Sequence, residues 1–327
     1  MPPRVTAVRP LRAIEGGRIV IEGSALPVDG PRLPAVHIGG LAARVVQASS
    51  SSLAVIVPSG LDAGSTPIRI EGVSGETLFV EIGAQFATGL HQVDNPVFDR
   101  EGNLYVTYSG TRGQQVPVSI FKVRPNGTRE TFSSGIVNAT SMAIDHEGRL
   151  YVSSRFEGTV YRVAHDGTFE MFATDLGVAC GLAFDREGTL YVGDRSGTLF
   201  RVNAAGKAQP LATLPSSVAA FHLAIAPDGS IWVTAPTLST YDAIYKVSPA
   251  GEVSIVDVRF GRPQGIAFDL HGTPFVVEAL AGSSGLYRVS RDGSAELVLA
   301  GANLIGVAFD SFGTTVVCSN ETAYRLK

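Results

Sequence analysis

Cysteine, tryptophan and charge are scarce in this 327-residue chain: two cysteines, one tryptophan, and only 17% Asp, Glu, Lys and Arg. Cys180 and Cys318 are too few for the disulfide framework of a small secreted scaffold. They fall in the third and sixth copies of the repeat described below, opposite one another in a six-fold ring, so no bond between them is expected. The formal net charge is −4 and no Lys/Arg run forms a basic patch, which argues against a nucleic-acid partner. No apolar stretch approaches the roughly 20 residues of a membrane helix. The opening MPPRVTAVRP leads straight into strand-like sequence, without the apolar core of a signal peptide. The expected location is the cytoplasm by default, or outside it if a leader has been trimmed. No segment longer than ten residues carries a 3.6-residue apolar period, so helices should be scarce.

What is abundant is glycine, 37 residues, and it recurs in a pattern. FDREG occurs at Phe98–Gly102 and again at Phe184–Gly188, followed by NLYV and TLYV. Aligned on that loop there are six copies, with glycines at Gly102, Gly148, Gly188, Gly229, Gly272 and Gly313, spaced by 46, 40, 41, 43 and 41 residues. A period of roughly 40–45 with alternating apolar residues is that of a β-propeller blade. In the third copy strand A covers 182–185, B 190–192, C 198–202 and D 209–213. Second turns such as HDG at His165–Gly167 and RDG at Arg291–Gly293 separate C from D, since glycine accepts the positive φ of a tight hairpin.

The sixth copy ends after its strand C, AYRLK, and lacks a strand D. QFATGL at Gln85–Leu90 resembles the strand D MFATDL at Met171–Leu176. Phe86 and Phe172 each lie 13 residues before the loop aspartate, Asp99 and Asp185. A strand at 84–88 is therefore expected to complete the last blade, which removes the free edge that an open solenoid would keep. The first 82 residues lack the repeat. Their short strand-like stretches, RVTAVRP, GRIVIEG, AVHIGG, ARVVQAS, SLAVIVP and PIRIEG, have the pattern of a small β-sandwich.

Pro10, Gly16–Gly17 before RIVIEG, VHIGG at Val36–Gly40 and VPSG at Val57–Gly60 resemble the IPT/TIG family of immunoglobulin-like domains. That likeness implies a spacer or a module for a protein partner, without catalytic residues. GLAFDREGTLYV resembles six-bladed propellers of the NHL and SMP-30/gluconolactonase-like kind. The expected fold is therefore all-β: an IPT/TIG-like sandwich over 1–82 and a six-bladed β-propeller over 83–327.

FDREG itself is expected to be the A–B turn, its aspartates bonding local amides. The opposite face, where A starts and B ends, forms the channel mouth, the usual place for a ligand. SMP-30-like lactonases hold a divalent metal there, on carboxylates and asparagines placed just before strand A. The matching positions here are Asp94, Thr140, Cys180, Phe221, Gln264 and Ile305, of which only Asp94 is charged, with Asn95 beside it. A calcium or zinc ion would take Asp94 as its ligand, although the full set of oxygen ligands is absent. From the B–C side come Tyr108, Arg155, Asp194, Arg195, Glu278 and Asn320, and the A side adds His222. A histidine near carboxylates can act as a general base, with Asp194 and Glu278 as its acidic partners. Equally, Asn95, Tyr108, Thr140, Arg155, Arg195, Gln264 and Asn320 can line a mouth that only binds. The neighbours Asp194–Arg195 and Arg155–Glu157 are spaced for ion pairs at the rim. Two functions follow: a propeller binding a small molecule or peptide, or a lactone or ester hydrolase using a cation or a His/carboxylate site.

Overall fold

The computed structural model describes residues 2–30, 32–290 and 293–326. These form strands and turns without a helix, so none is long and apolar enough to cross a membrane. Five sheets have four strands each, and a twelve-stranded sheet ends in a fifth such meander in chain order, 263–300. The separate sheets cover 97–133, 139–173, 179–213, 222–260, and 304–326 with Ala84–Thr88. Innermost strands touch their successors in sequence, and Val97–Phe98 touches both Ala139–Ile144 and Leu304–Phe309. The sheets therefore close into a circle, a propeller-like arrangement. Ala84–Thr88 pairs antiparallel with Thr322–Leu326, joining the two ends of the ring. The expected RDG turn lies, apart from Gly293, outside the described residues, as does Lys327.

The repeated loop works as a local clamp. Oδ1 of Asp99 accepts the amides of Glu101 and Asn103 at 3.0 and 2.8 Å. Asp145 accepts those of Glu147 and Arg149, Asp269 those of His271 and Thr273, and Asp310 those of Phe312 and Thr314. Each such bond contributes about 1 kcal/mol net, and the loop glycines supply the positive φ, +79° at Gly102. Tyrosine of the LYV segment reaches back to the same acid: Tyr105 and Tyr191 donate to Asp99 and Asp185 at 3.2 and 3.1 Å. Burial, with Asp185 next, pushes the Tyr191 hydroxyl up to about 12. The fourth copy has Ala226 in place of the acid and Trp232 in place of the tyrosine, and the indole Nε1 is buried without a partner.

Neighbouring meanders pack through apolar side chains, such as Val160, Ala173 and Leu176 against Leu182, Leu190 and Val202. Edge-on rings recur between them, as with Tyr151 and Phe184 at 4.9 Å, worth about 0.5–1.5 kcal/mol beyond their burial. The amino-terminal strands bury a core of their own around Ile19, Ile21, Ile38, Leu53 and Val55. Arg12–Ala13 joins that part to the ring. It pairs in parallel with Leu78–Ile82 on one side and, through Ala13 and Ala300, with Ala295–Ala300 on the other. The amide of Ile14 donates to the Ala300 carbonyl at 2.9 Å, and Tyr324 donates to Glu15 at 2.6 Å. Only Gly83 separates Leu78–Ile82 from Ala84–Thr88. The two parts are thus tied by backbone hydrogen bonds and by a one-residue link.

Inner strands approach closest at glycines. A Cβ on Gly265 would lie 2.2 Å from Asn95 Oδ1 and 2.7 Å from the Gly306 Cα. Such contacts require backbone movement. Gly265→Ala is expected to lower unfolding free energy by about 3 kcal/mol, read by urea denaturation; a change within about 0.5 kcal/mol would contradict the tight fit.

Candidate functional site

The channel is closed by polar contacts between meanders that are far apart in sequence. Asn95, ahead of the first, donates Nδ2 to the Ile266 carbonyl at 2.8 Å in the fifth and accepts the Val307 amide at 3.0 Å in the sixth. Ser153 donates to the Cys180 carbonyl at 2.6 Å, and Thr234 donates to that of Gln264. Gln92, fully buried, donates to the Asp94 carbonyl and accepts the Thr107 amide at 2.9 Å. These bonds hold the inner strands at the spacing that the glycines allow.

Across that space Nδ1 of His222 meets Oδ1 of Asp94, which also accepts the Asn95 amide at 2.6 Å. His222 is 0% and Asp94 1% exposed. Nε2 of His222 faces Oε1 of Gln264 at 3.4 Å. With Nδ1–H donating to the carboxylate, the other ring nitrogen faces a side-chain amide, and no solvent reaches either. A carboxylate that fixes an imidazole tautomer is half of a general-base arrangement. The missing half is access, because the ring is sealed beneath the mouth. Oδ2 of Asp94 is buried without a hydrogen-bond partner.

The other expected acidic partners are held elsewhere. Asp194 accepts the amides of Val178 at 2.8 Å and Ser196 at 3.1 Å, and the Ser196 hydroxyl as well. Glu278 accepts three amides, from Gly261 at 2.6 Å, Arg262 at 2.8 Å and Leu280 at 2.7 Å. Both sit at the end of strand B and clamp the incoming connection to strand A, as Ser154 does by donating to the Val137 carbonyl at 2.7 Å. Neither carboxylate is hydrogen-bonded to His222. The expected rim ion pairs are also absent among the described residues: Glu157 accepts the Tyr161 hydroxyl at 2.8 Å, while Asp194 is taken up by its turn. Thr140 donates to the Asn138 carbonyl at 2.7 Å and is buried. The half-buried Asn320 accepts the Gln92 amide at its carbonyl, 2.9 Å.

Donors around Asp94 do not fit a hard divalent cation. Among the described residues no three of His, Cys, Asp and Glu gather as ligands, whereas calcium takes six to eight oxygens. Oδ1 of Asp94 is already bonded, and its companions in the ring are Thr140, Cys180, Phe221, Gln264 and Ile305.

Tyr108, Arg155 and Arg195 directly follow the ends of the B strands of the first three meanders, and His91 lies ahead of the first, bridged to Tyr108. Arg155 is half-buried, and among the described residues its guanidinium donates one hydrogen bond, to the Gly110 carbonyl at 3.5 Å. His91, which sequence reasoning missed, lies 5.9 Å from the Tyr108 ring. Burial, then Arg155, holds its imidazole below the usual range, so it is neutral at pH 7. Extending the repeat alignment backward would have found it: Leu90, Ile136 and Leu176 share one buried position, and His91, Val137 and Gly177 follow. Asn138 was also missed; it bonds the Gly110 and Thr111 carbonyls and the Gly113 amide, clasping the neighbouring loop.

No family model and no curated protein matches the sequence. Solved structures do match its fold. An auxiliary nutrient binding protein from Bacteroides thetaiotaomicron matches with TM-score 0.57 at 15% identity, over 100% of this chain and 98% of its own. A gluconolactonase from Xanthomonas campestris has TM-score 0.59 at 16% identity, over 73% and 87%. Virginiamycin B lyase from Staphylococcus aureus has TM-score 0.52 at 13% identity, over 73% and 97%. At such identities the likeness shows the fold alone, a propeller arrangement of sheets.

Cys180 lies under the mouth, and burial, with Asp94 next, pushes its thiol up to about 12; burial also raises Cys318. Both are free and buried. At pH 8 the folded protein should release almost no thionitrobenzoate from Ellman's reagent, and two equivalents in guanidinium, one for each cysteine. Rapid reaction of one thiol in the folded state would contradict this environment.

Proposed function

We propose that this chain is a binding protein that takes a small molecule or peptide at the channel mouth and does not transform it. In this reading residues 83–327 are a six-bladed propeller, with 84–88 completing the last blade, and 1–82 are an IPT/TIG-like sandwich. The sandwich acts as a spacer or offers a surface to a protein partner. The observation that carries the reading is the sealed His222–Asp94 pair: the histidine and the carboxylate are bonded to each other and shut off from solvent. The amide-bound state of Asp194 and Glu278 supports it too, since neither is free to take a proton from a substrate. A fold likeness along the whole chain to a protein described as nutrient binding agrees with this reading.

The same pair favours a second reading, hydrolysis of a lactone or ester. Asp94 orients His222, and a gluconolactonase is among the structures with this fold. For that, the mouth would have to open by at least a side chain to bring a substrate to Nε2.

A panel of lactones and esters, assayed with and without calcium or zinc, separates the two readings. Rates equal to the protein-free blank are expected under every condition. Turnover that is lost in His222→Ala would overturn the binding reading in favour of hydrolysis.

A further inference from the structure

The geometry points to an anion subsite in the mouth: Arg155 and Arg195 together receive a carboxylate or phosphate group of the bound ligand. This deepens the binding reading and rests on it. The two arginines occupy the same position in adjacent meanders, directly after Ser154 and Asp194 at the ends of strands Leu150–Ser154 and Leu190–Asp194. At that position the other copies have Ser109, Pro236, Ala279 and Asn320, so the pair is confined to one sector of the rim. Both side chains are half-buried. Among the described residues neither forms an ion pair, and the Arg195 guanidinium forms no hydrogen bond.

Two like charges side by side and partly out of water repel each other, and each guanidinium holds five N–H donors that need acceptors. They are close enough to interact: after burial and Cys180, Arg195 is the group that acts on Arg155, lowering it, and no carboxylate is among the causes. Asp194, the nearest acid in sequence, turns its oxygens to Val178 and Ser196. A planar fork facing an anion can bond it bidentately, and two forks suit a carboxylate or phosphate.

Unsatisfied polar atoms gather around the same sector. Of five buried side-chain nitrogens and oxygens without a partner among the described residues, three are His91 Nδ1, Asp94 Oδ2 and Ser109 Oγ. Ser109 holds the rim position next to Arg155, Arg155 acts on His91, and Asp94 lies with both arginines around Cys180. Buried polar groups in native proteins are bonded as a rule. An anionic end of a ligand would pair with the two guanidinium groups above these atoms, and the half-buried His91 and Tyr108 rings offer surface for its body.

Phenyl phosphate, benzoate and neutral benzyl alcohol test this as probes, titrated at low ionic strength by calorimetry and by NMR of the His91 and Tyr108 rings. Both anions should bind more tightly than the alcohol, shift those rings, and weaken as salt is added. The ranking of phosphate against carboxylate identifies the preferred group. Arg155→Gln and Arg195→Gln should each weaken the anions by about tenfold or more. Arg186→Gln, exposed in the turn on the opposite face, should change nothing. Should Arg155→Gln unfold the protein, Arg195→Gln carries the test alone, because its guanidinium holds no bond of the fold. Anion binding unaltered by both substitutions would overturn the subsite. So would ring shifts by benzyl alcohol with no gain for the anions, an outcome that leaves the binding reading standing.

Discussion

Everything in the ring depends on how closely the inner strands approach one another. Gly181 lies against the Phe221 carbonyl, where a Cβ would be 2.0 Å away, and Gly306 against the Asp94 carbonyl, at 2.8 Å. At that spacing side chains from opposite parts of the chain must interlock or be absent. Asn95 bonds two other meanders, and Asp94 meets His222 at a sequence separation of 128. A buried polar network consequently ties the inner strands to one another. Low dielectric strengthens each bond in that network and makes each unpaired atom costly. The mouth inherits its floor from this packing.

The two faces divide their labour through the same repeat. On the side of the A–B turns, aspartates fold onto their own loops and tyrosines lock them. On the mouth side the residue ending strand B clamps the neighbouring connection, as Ser154, Asp194 and Glu278 do. The clamp needs only one residue per meander. The next position is thereby released from structural duty, and that is where Arg155 and Arg195 stand.

Much of this was legible in the sequence. FDREG fixed the register, and the aspartates of Asp99, Asp145, Asp269 and Asp310 are local turn acceptors, as their repetition implied. Phe86, placed by its 13-residue offset, lies in a strand that pairs with Thr322–Leu326. The roles of Asp194 and Glu278 were not legible, because their amide partners come from the connection into the following strand and spacing does not report them. His222 was picked as a lone histidine near carboxylates, yet its partner is the residue assigned to a metal, a juxtaposition that only ring closure creates. The docking strand Arg12–Ala13 is too short for any periodicity to mark.

The central claim is that His222 and Asp94 act as one structural unit closing the channel. A double-mutant cycle on unfolding free energy tests it. His222→Ala alone should cost about 3 kcal/mol, since it leaves a buried carboxylate unpaired. The double variant with Asp94→Ala should cost little more, giving a coupling of about 2–3 kcal/mol. Additive effects, with coupling near zero, would show that the two side chains stand independently and that the channel is held by other means.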